Sequence, residues 1–249
     1  MPNLDFEIGK KEVDAELEKL FANAQTDFSM PVELPTRGKF YKHFKGVKVK
    51  PLLFEDEQRI FSMKNANLNP VDEIISKCTE GIDINDLISM DKIYLLLKIK
   101  EISYGPEYNF AVNCPKCNQI NEVCIDISKD ILINEVPLEL EDPREVHLPV
   151  LDVYAKVRFP RASDENYTSD YETLADNMYR FVVSLNDNEN IIFISKAIKK
   201  MHIRDRKVLL NEINKTDLGV DPRFQFVCAG CSHKDIRGIP FTANFFSVS

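Results

Sequence analysis

The chain has 249 residues, 32 of them basic and 40 acidic, for a net charge of −8. That length allows one large domain or two small ones, and 44% hydrophobic residues supply a sizeable core, which excludes a chain disordered throughout. The acid excess argues against a protein that coats nucleic acid, and only 8 glycines argue against collagen-like or Gly-rich phosphate-cradling folds.

The opening Met1-Pro2-Asn3-Leu4-Asp5 carries no apolar signal core, and no apolar run approaches the ~20 residues that span a bilayer. The expected compartment is a reducing cytosol, where six cysteines serve as metal ligands or buried thiols rather than disulfides. Residues Lys10 to Ala24 read as an amphipathic helix, because Val13, Leu17, Leu20 and Phe21 fall on one face. Pro31 and Pro35 then interrupt the chain. The expected division is therefore a helical arm and linker over 1–30 and a single α+β domain over 31–249. The arm either packs on its own domain or reaches a partner.

Leu34 to Tyr41 reads as a turn entering a strand, and Val47 and Val49 alternate with Lys48 and Lys50 as a half-exposed strand. Helices are predicted from about Glu55, over Val71 to Thr79 after the Asn69-Pro70 start signal, and over Asp83 to Glu101. After Gly105-Pro106 the period changes to two. Tyr108, Phe110 and Val112 lead to Cys114, and Val123, Ile125 and Ile127 lead away from Cys117, which predicts a β-hairpin. Val153 to Phe159 alternates again, and echoes the segment from Val47. Ser169 with Glu172 forms a capping box for a helix through Arg180. Ile191 to Met201 fits strand or helix, Asp205 to Lys215 fits a helix, and Phe224, Phe226 and Cys228 open a second hairpin.

Charge is segregated along this order. Arg37 to Lys50 holds six basic residues and no acid, whereas Glu122 to Glu145 holds eight acids and two bases. Such blocks are either solvated faces or surfaces complementary to a protein partner, with phosphate binding a weaker reading.

The strongest chemical signal is a pair of CxxC motifs, Cys114-Pro115-Lys116-Cys117 and Cys228-Ala229-Gly230-Cys231. Two such turns facing each other supply the four soft, tetrahedral ligands of a structural zinc. Zinc ribbons place their pairs about 15–20 residues apart, whereas here 110 residues separate Cys117 from Cys228. The expected fold is α+β: a zinc-ribbon-like pair of β-hairpins with a large mixed insertion, preceded by the amphipathic helix. Two redox CxxC motifs are the rival reading, although neither follows a strand and opens a helix. His233 is a competing ligand, and Cys78 and Cys124 are bystander thiols. The chain lacks GxxxxGK[ST], GxGxxG after a strand, HExxH and GxSxG. Its four histidines are scattered, so an enzyme reading has no named residues.

The order of several motifs resembles a known family. Leu34-Pro35-Thr36-Arg37-Gly38-Lys39-Phe40-Tyr41 precedes Val47 to Leu52, then Glu55 to Glu57, Asp86-Leu87, Asp91 and Ser103 to Tyr108 before the first CxxC. Phe226 to Cys231 and the aromatic pair Phe245-Phe246 follow. Together these resemble the baseplate hub assembly proteins, catalysts or chaperones, of T4-like contractile-tailed bacteriophages. The one departure is Ser232, where the pattern expects Gly. The resemblance implies a non-enzymatic assembly factor that binds baseplate hub proteins in the cytoplasm of the infected host and need not stay in the virion. It implies no small-molecule substrate. The alternatives are a structural subunit of the hub and a zinc-ribbon nucleic-acid-binding protein. Val13, Leu17, Leu20 and Phe21, with Phe245 and Phe246, are the expected partner-binding residues.

Overall fold

The computed structural model describes residues 13–20, 29–62, 70–215, 217–241 and 243–246. Helix α1, residues 13–20, is exposed along its length. The remainder is α+β, with small antiparallel sheets. None of the described helices is long and apolar enough to cross a membrane.

In the first half, β1 (Met30–Val32), β2 (Val47–Val49) and β3 (Thr79–Glu80) form one sheet with β2 in the middle. Val47 and Val49 point into the core and Lys48 points out, as a one-sided sheet requires. Leu34 to Tyr41 forms consecutive turns rather than entering a strand. Gly38 there takes φ 74°, and a Cβ on it would strike the Phe44 ring at 1.9 Å. Helices α2 (Phe54–Ser62) and α3 (Pro70–Cys78) carry acids in their first turns, at the positive end of the helix dipole. The helix expected from Asp83 starts later. Asp83 caps only the 3-10 turn Ile84–Asp86, and Leu87 is extended because its carbonyl accepts the Ala162 amide at 2.7 Å. Helix α4 (Ser89–Tyr104) follows. It is buried on several sides, so it is the central helix of the body rather than a surface one. It ends at Gly105, and the first hairpin, β4 (Glu107–Asn113) and β5 (Ile120–Asp126), leads into α5 (Ile127–Asp130) and β6 (Leu132–Asn134).

In the second half, β7 (Arg144–Leu148), β8 (Val153–Val157) and β9 (Val182–Leu185) form another sheet with β8 in the middle. Asp170, not Ser169, caps α6 (Tyr171–Asn177), because its carboxylate reaches the Thr173 amide at 2.9 Å. The ambiguous segment is helix α7 (Ile191–Lys200), capped by Asn190, and α8 (Ile203–Ile213) follows. β10 (Gly219–Asp221) pairs with β6, and the second hairpin is β11 (Arg223–Val227) and β12 (Lys234–Gly238).

The two halves repeat one another at an interval of 114 residues. Val32-Glu33-Leu34-Pro35 recurs as Val146-His147-Leu148-Pro149. The strand pair Val32 with Val47 recurs as Val146 with Ala155, the second connection being six residues shorter. α4 starts at Ser89 and α8 at Ile203. Each helix carries a carboxylate with 0% exposure, Asp91 or Asp205, which accepts the amide just after the Leu-Pro step. Thr36 N donates to Asp91 Oδ1 at 3.2 Å, and Val150 N donates to Asp205 Oδ1 at 2.8 Å. Leu95, Leu96 and Ile99 are buried like Leu209, Leu210 and Ile213. The sequence echo between Val47 and Ala155 is the visible part of this repeat. The halves differ where the first has the 3-10 turn Ile84–Asp86 and the second has α7.

One core is built on α4 and takes in both hairpins, while a second lies wholly within residues 148–213. The aromatic pair expected at a partner surface lies in the first core, with Phe245 at 0% and Phe246 at 2% exposure. Phe245 meets Tyr108 edge-on with centroids 4.8 Å apart, and each buried aromatic contributes about 1.5–3 kcal/mol. These two rings therefore close this chain's own core.

The halves are joined by partly buried charge. Arg161 pairs with Asp142 at 2.5 Å and donates to the carbonyls of Asp86 and Phe40. Asp91 also accepts the hydroxyls of Thr36 (2.5 Å) and Tyr41 (2.6 Å). Burial raises the Asp91 carboxyl above its ordinary 3.8, against the lowering effect of those bonds. The folded state then holds its proton more tightly than the unfolded state, so this group's contribution to stability falls as pH rises above 3.8. Asp91→Asn removes that slope. In urea titrations, the stability of the wild type relative to the Asn variant should decline as pH rises from about 4; a constant difference would contradict it.

Candidate metal centre

Each cysteine turn begins where its hairpin ladder ends. Cys114 N donates to Gln119 O, and Cys228 N donates to His233 O, both at 2.9 Å. Within each loop the fifth residue folds back, with Asn118 N bonding Cys114 O and Ser232 N bonding Cys228 O, again at 2.9 Å. That residue is left-handed in both loops, φ 57° at Asn118 and 56° at Ser232. The Pro-Lys and Ala-Gly inserts differ in sequence and yield one backbone shape.

The four sulfurs lie within 4.8 Å of one another. Cys114 Sγ is 3.7 Å from Cys231 Sγ, and Cys117 Sγ is 3.6 Å from Cys228 Sγ. Shifting the first pair by 114 residues produces the second, so the contacts obey a local two-fold symmetry between the repeats. Four thiolates about 2.3 Å from one tetrahedral ion stand ~3.8 Å apart, so the donor set fits a metal of that kind, zinc included. All four cysteines are free thiols in this arrangement, and none is in a disulfide. The nearest partners come from opposite hairpins, whereas a redox CxxC would pair within its own motif. The Cys228 thiol is brought down to about 6, chiefly by the Cys231 amide and also by that of Gly230, against burial. At Cys117 the Gln119 amide lowers the value, but the Cys231 thiol, burial and the other two thiols outweigh it and push it up to about 12. His233 is not among the clustered ligands; its carbonyl closes the second turn.

A supporting residue lies beside the cysteines. Asn121 on β5 is 7% exposed and spans the two knuckles. Its Oδ1 accepts the Ala229 amide at 2.8 Å, while its Nδ2 donates to Gln119 O at 2.9 Å and lies 3.7 Å from Cys228 Sγ. Such partners fix sulfur orientation. Nothing in the sequence marks this Asn, because its role depends on a segment more than 100 residues away. Gly230 leaves room for Gln119, whose Oε1 would stand 1.7 Å from an added Cβ. Below, Phe110 and Phe224, again 114 residues apart, meet edge-on with centroids separated by 5.2 Å. The Tyr108 hydroxyl donates to Pro240 O at 2.9 Å.

The remaining predicted residues are not at this site. Val13, Leu17 and Leu20 on α1 are 54%, 45% and 67% exposed. Phe21 lies outside the described residues. Cys78 is buried, and burial pushes its thiol up to about 12. Cys124 is exposed on β5.

Ser232, where the resemblance implies Gly, has φ 56°, in the left-handed region that Gly favours. A left-handed conformation costs a side chain of this type about 1 kcal/mol. Ser232→Gly should therefore raise the thermal midpoint by about 2–4 °C, and Asn118→Gly by less, since Asn tolerates this region better. A lower midpoint for Ser232→Gly would refute the assignment of strain.

Comparison with curated proteins and with solved structures finds no match to the chain. A family model described as T4 bacteriophage base plate protein matches residues 27–247, which takes in both repeats and all four cysteines. The chain therefore belongs to the T4 bacteriophage base plate protein family.

Proposed function

We propose that this chain is a non-enzymatic assembly factor of the phage baseplate hub, with a zinc-ribbon-like centre that holds one structural zinc. Cys114, Cys117, Cys228 and Cys231 are the ligands. The observation that supports the zinc most directly is the closed set of four sulfurs within 4.8 Å. Four thiolates fill a tetrahedral shell and leave no position for substrate or water. The ion would cross-link segments 110 residues apart. Family membership supports baseplate proteins as partners. The exposed stripe of Val13, Leu17 and Leu20 supports a helical arm that docks on one of them. The protein then acts in the infected host's cytoplasm and leaves when the hub is complete.

Two experiments test this reading. A tagged full-length chain, isolated from infected cells, should co-purify with hub assembly intermediates and be absent from finished tails. Stoichiometric presence in tails would make it a structural subunit instead. Leu17→Asp with Leu20→Asp should reduce recovery of hub proteins without changing the metal content. Separately, purified protein should contain one zinc per chain. Closing a loop of this length is worth about 4–5 kcal/mol by analogy with a covalent cross-link. Stripping the metal should lower the thermal midpoint by ~10 °C or more, at about 2–4 °C per kcal/mol. Cys117→Ser should be equally low and unresponsive to chelator. Metal-free protein with the wild-type midpoint would sink the zinc assignment.

A further inference from the structure

The repeat makes the two seams between the hairpins equivalent, yet they are built differently. The interval of 114 residues relates β4 to β11 and β5 to β12. The seam between β4 and β12 is therefore the counterpart of the seam between β11 and β5. In the first, Arg237 Nη2 donates to the Asn113 carbonyl at 3.0 Å and bridges the strands. The counterpart of Arg237 is Val123, and the counterpart of Asn113 is Val227. A valine cannot donate, and the second seam is an open groove of about 420 Å³ lined by residues of β5 and β11.

Main-chain polarity can be assigned along this groove. The bonds Cys114 N to Gln119 O and Ile127 N to Pro106 O fix the hydrogen-bonded pairs of the first hairpin. By the alternation of an antiparallel ladder, Ile120, Glu122 and Cys124 direct their N–H and C=O groups away from β4. The bonds Cys228 N to His233 O and Ile239 N to Pro222 O do the same for the second hairpin, and Gln225 and Val227 face away from β12. Among the described residues both hairpins are two-stranded, so these are free edges. Their outer side chains include exposed Ile120 and Val227, while Val123 and Phe226 line the inner side. Glu122 is the one charged residue among those lining the groove.

We propose that this groove binds an extended segment of a partner protein, which adds as a strand along the β5 and β11 edges beside the cysteine centre. The segment pairs its main chain with the free edge groups and places apolar side chains by Ile120, Val123 and Val227. A lysine or arginine in it faces Glu122. This gives the protein-binding reading a site, and it fails separately from that reading, because the test needs no hub protein.

The probe is an acetylated, amidated Thr-Val-Lys-Val-Thr peptide added at about 1 mM to isotope-labelled, metal-loaded full-length protein. Amide NMR signals of Ile120, Glu122, Cys124, Gln225 and Val227 should shift. N-methylation at alternate peptide nitrogens should weaken binding about tenfold, since it removes main-chain donors. Val123→Arg, which supplies the bridge found in the other seam, should abolish the shifts. Gln225→Pro removes an edge donor without touching the β11–β12 ladder and should weaken them. Unchanged zinc content and thermal midpoint in both variants establish that the fold is intact. Absence of shifts, shifts insensitive to N-methylation, or binding retained by Val123→Arg would each overturn the proposal. Concentration-dependent broadening of these amides without peptide would also overturn it, by making a second copy of this chain the occupant.

Discussion

Four sulfur atoms from two hairpins converge on one point, and much of the rest of the molecule is arranged around that closure. The hairpins belong to different repeats, yet both pack into the core built on the first repeat's central helix. The second repeat thus gives its cysteine hairpin to the first and keeps a separate core of its own in residues 148–213. Without the convergence, the second hairpin would have to hold its place through apolar packing and a few bonds from Asn121, Arg237 and Tyr108. With the proposed zinc bound, distant chain segments would share one anchor whose geometry tolerates little displacement, because ligand distances are fixed to within tenths of an ångström.

The buried carboxylates play the complementary role inside each repeat. Asp91 and Asp205 each tie the helix that precedes their unit's hairpin to the loop after a Leu-Pro step. A buried acceptor that satisfies backbone donors is costly to lose and costly to move. It therefore fixes the direction in which each helix delivers its hairpin. The first repeat adds the Thr36 and Tyr41 hydroxyls to this joint. The second adds the Leu151 amide at 2.9 Å. The joint is retained while its decoration has diverged.

The sequence made the cysteine pairs, their hairpins and the α+β class legible, because thiol spacing and period-two alternation are local signals. The repeat was visible in short pieces, the echo between Val47 and Ala155, the two Leu-Pro steps and the two cysteine pairs. Its other correspondences are single residues such as Asp91 and Asp205, whose equivalence rests on burial and on bonds to remote amides. Burial also decided the aromatic tail. Phe245 and Phe246 are equally apolar on a surface or in a core, and only the neighbouring Tyr108 and Tyr104 rings distinguish the two. The start of α4 was misplaced for a similar reason, since Leu87 is held extended by Ala162, which lies 75 residues further along. Asn121 left no trace at all, being one asparagine on a strand until the second knuckle arrives.

The distance between the knuckles also sets an order of events in time. A ribosome adding ~5–20 residues per second needs roughly 5–20 s to pass from the first pair of cysteines to the second. Throughout that interval the emerging chain displays half of a tetrahedral shell, with two thiols and no opposite pair. The same half-shell on a neighbouring nascent chain is, by the two-fold symmetry of the contacts, a geometrically suitable substitute. Exchange of hairpins between chains on one polysome is thus a misassembly this architecture leaves open. The acid excess of the chain opposes it by keeping such chains apart.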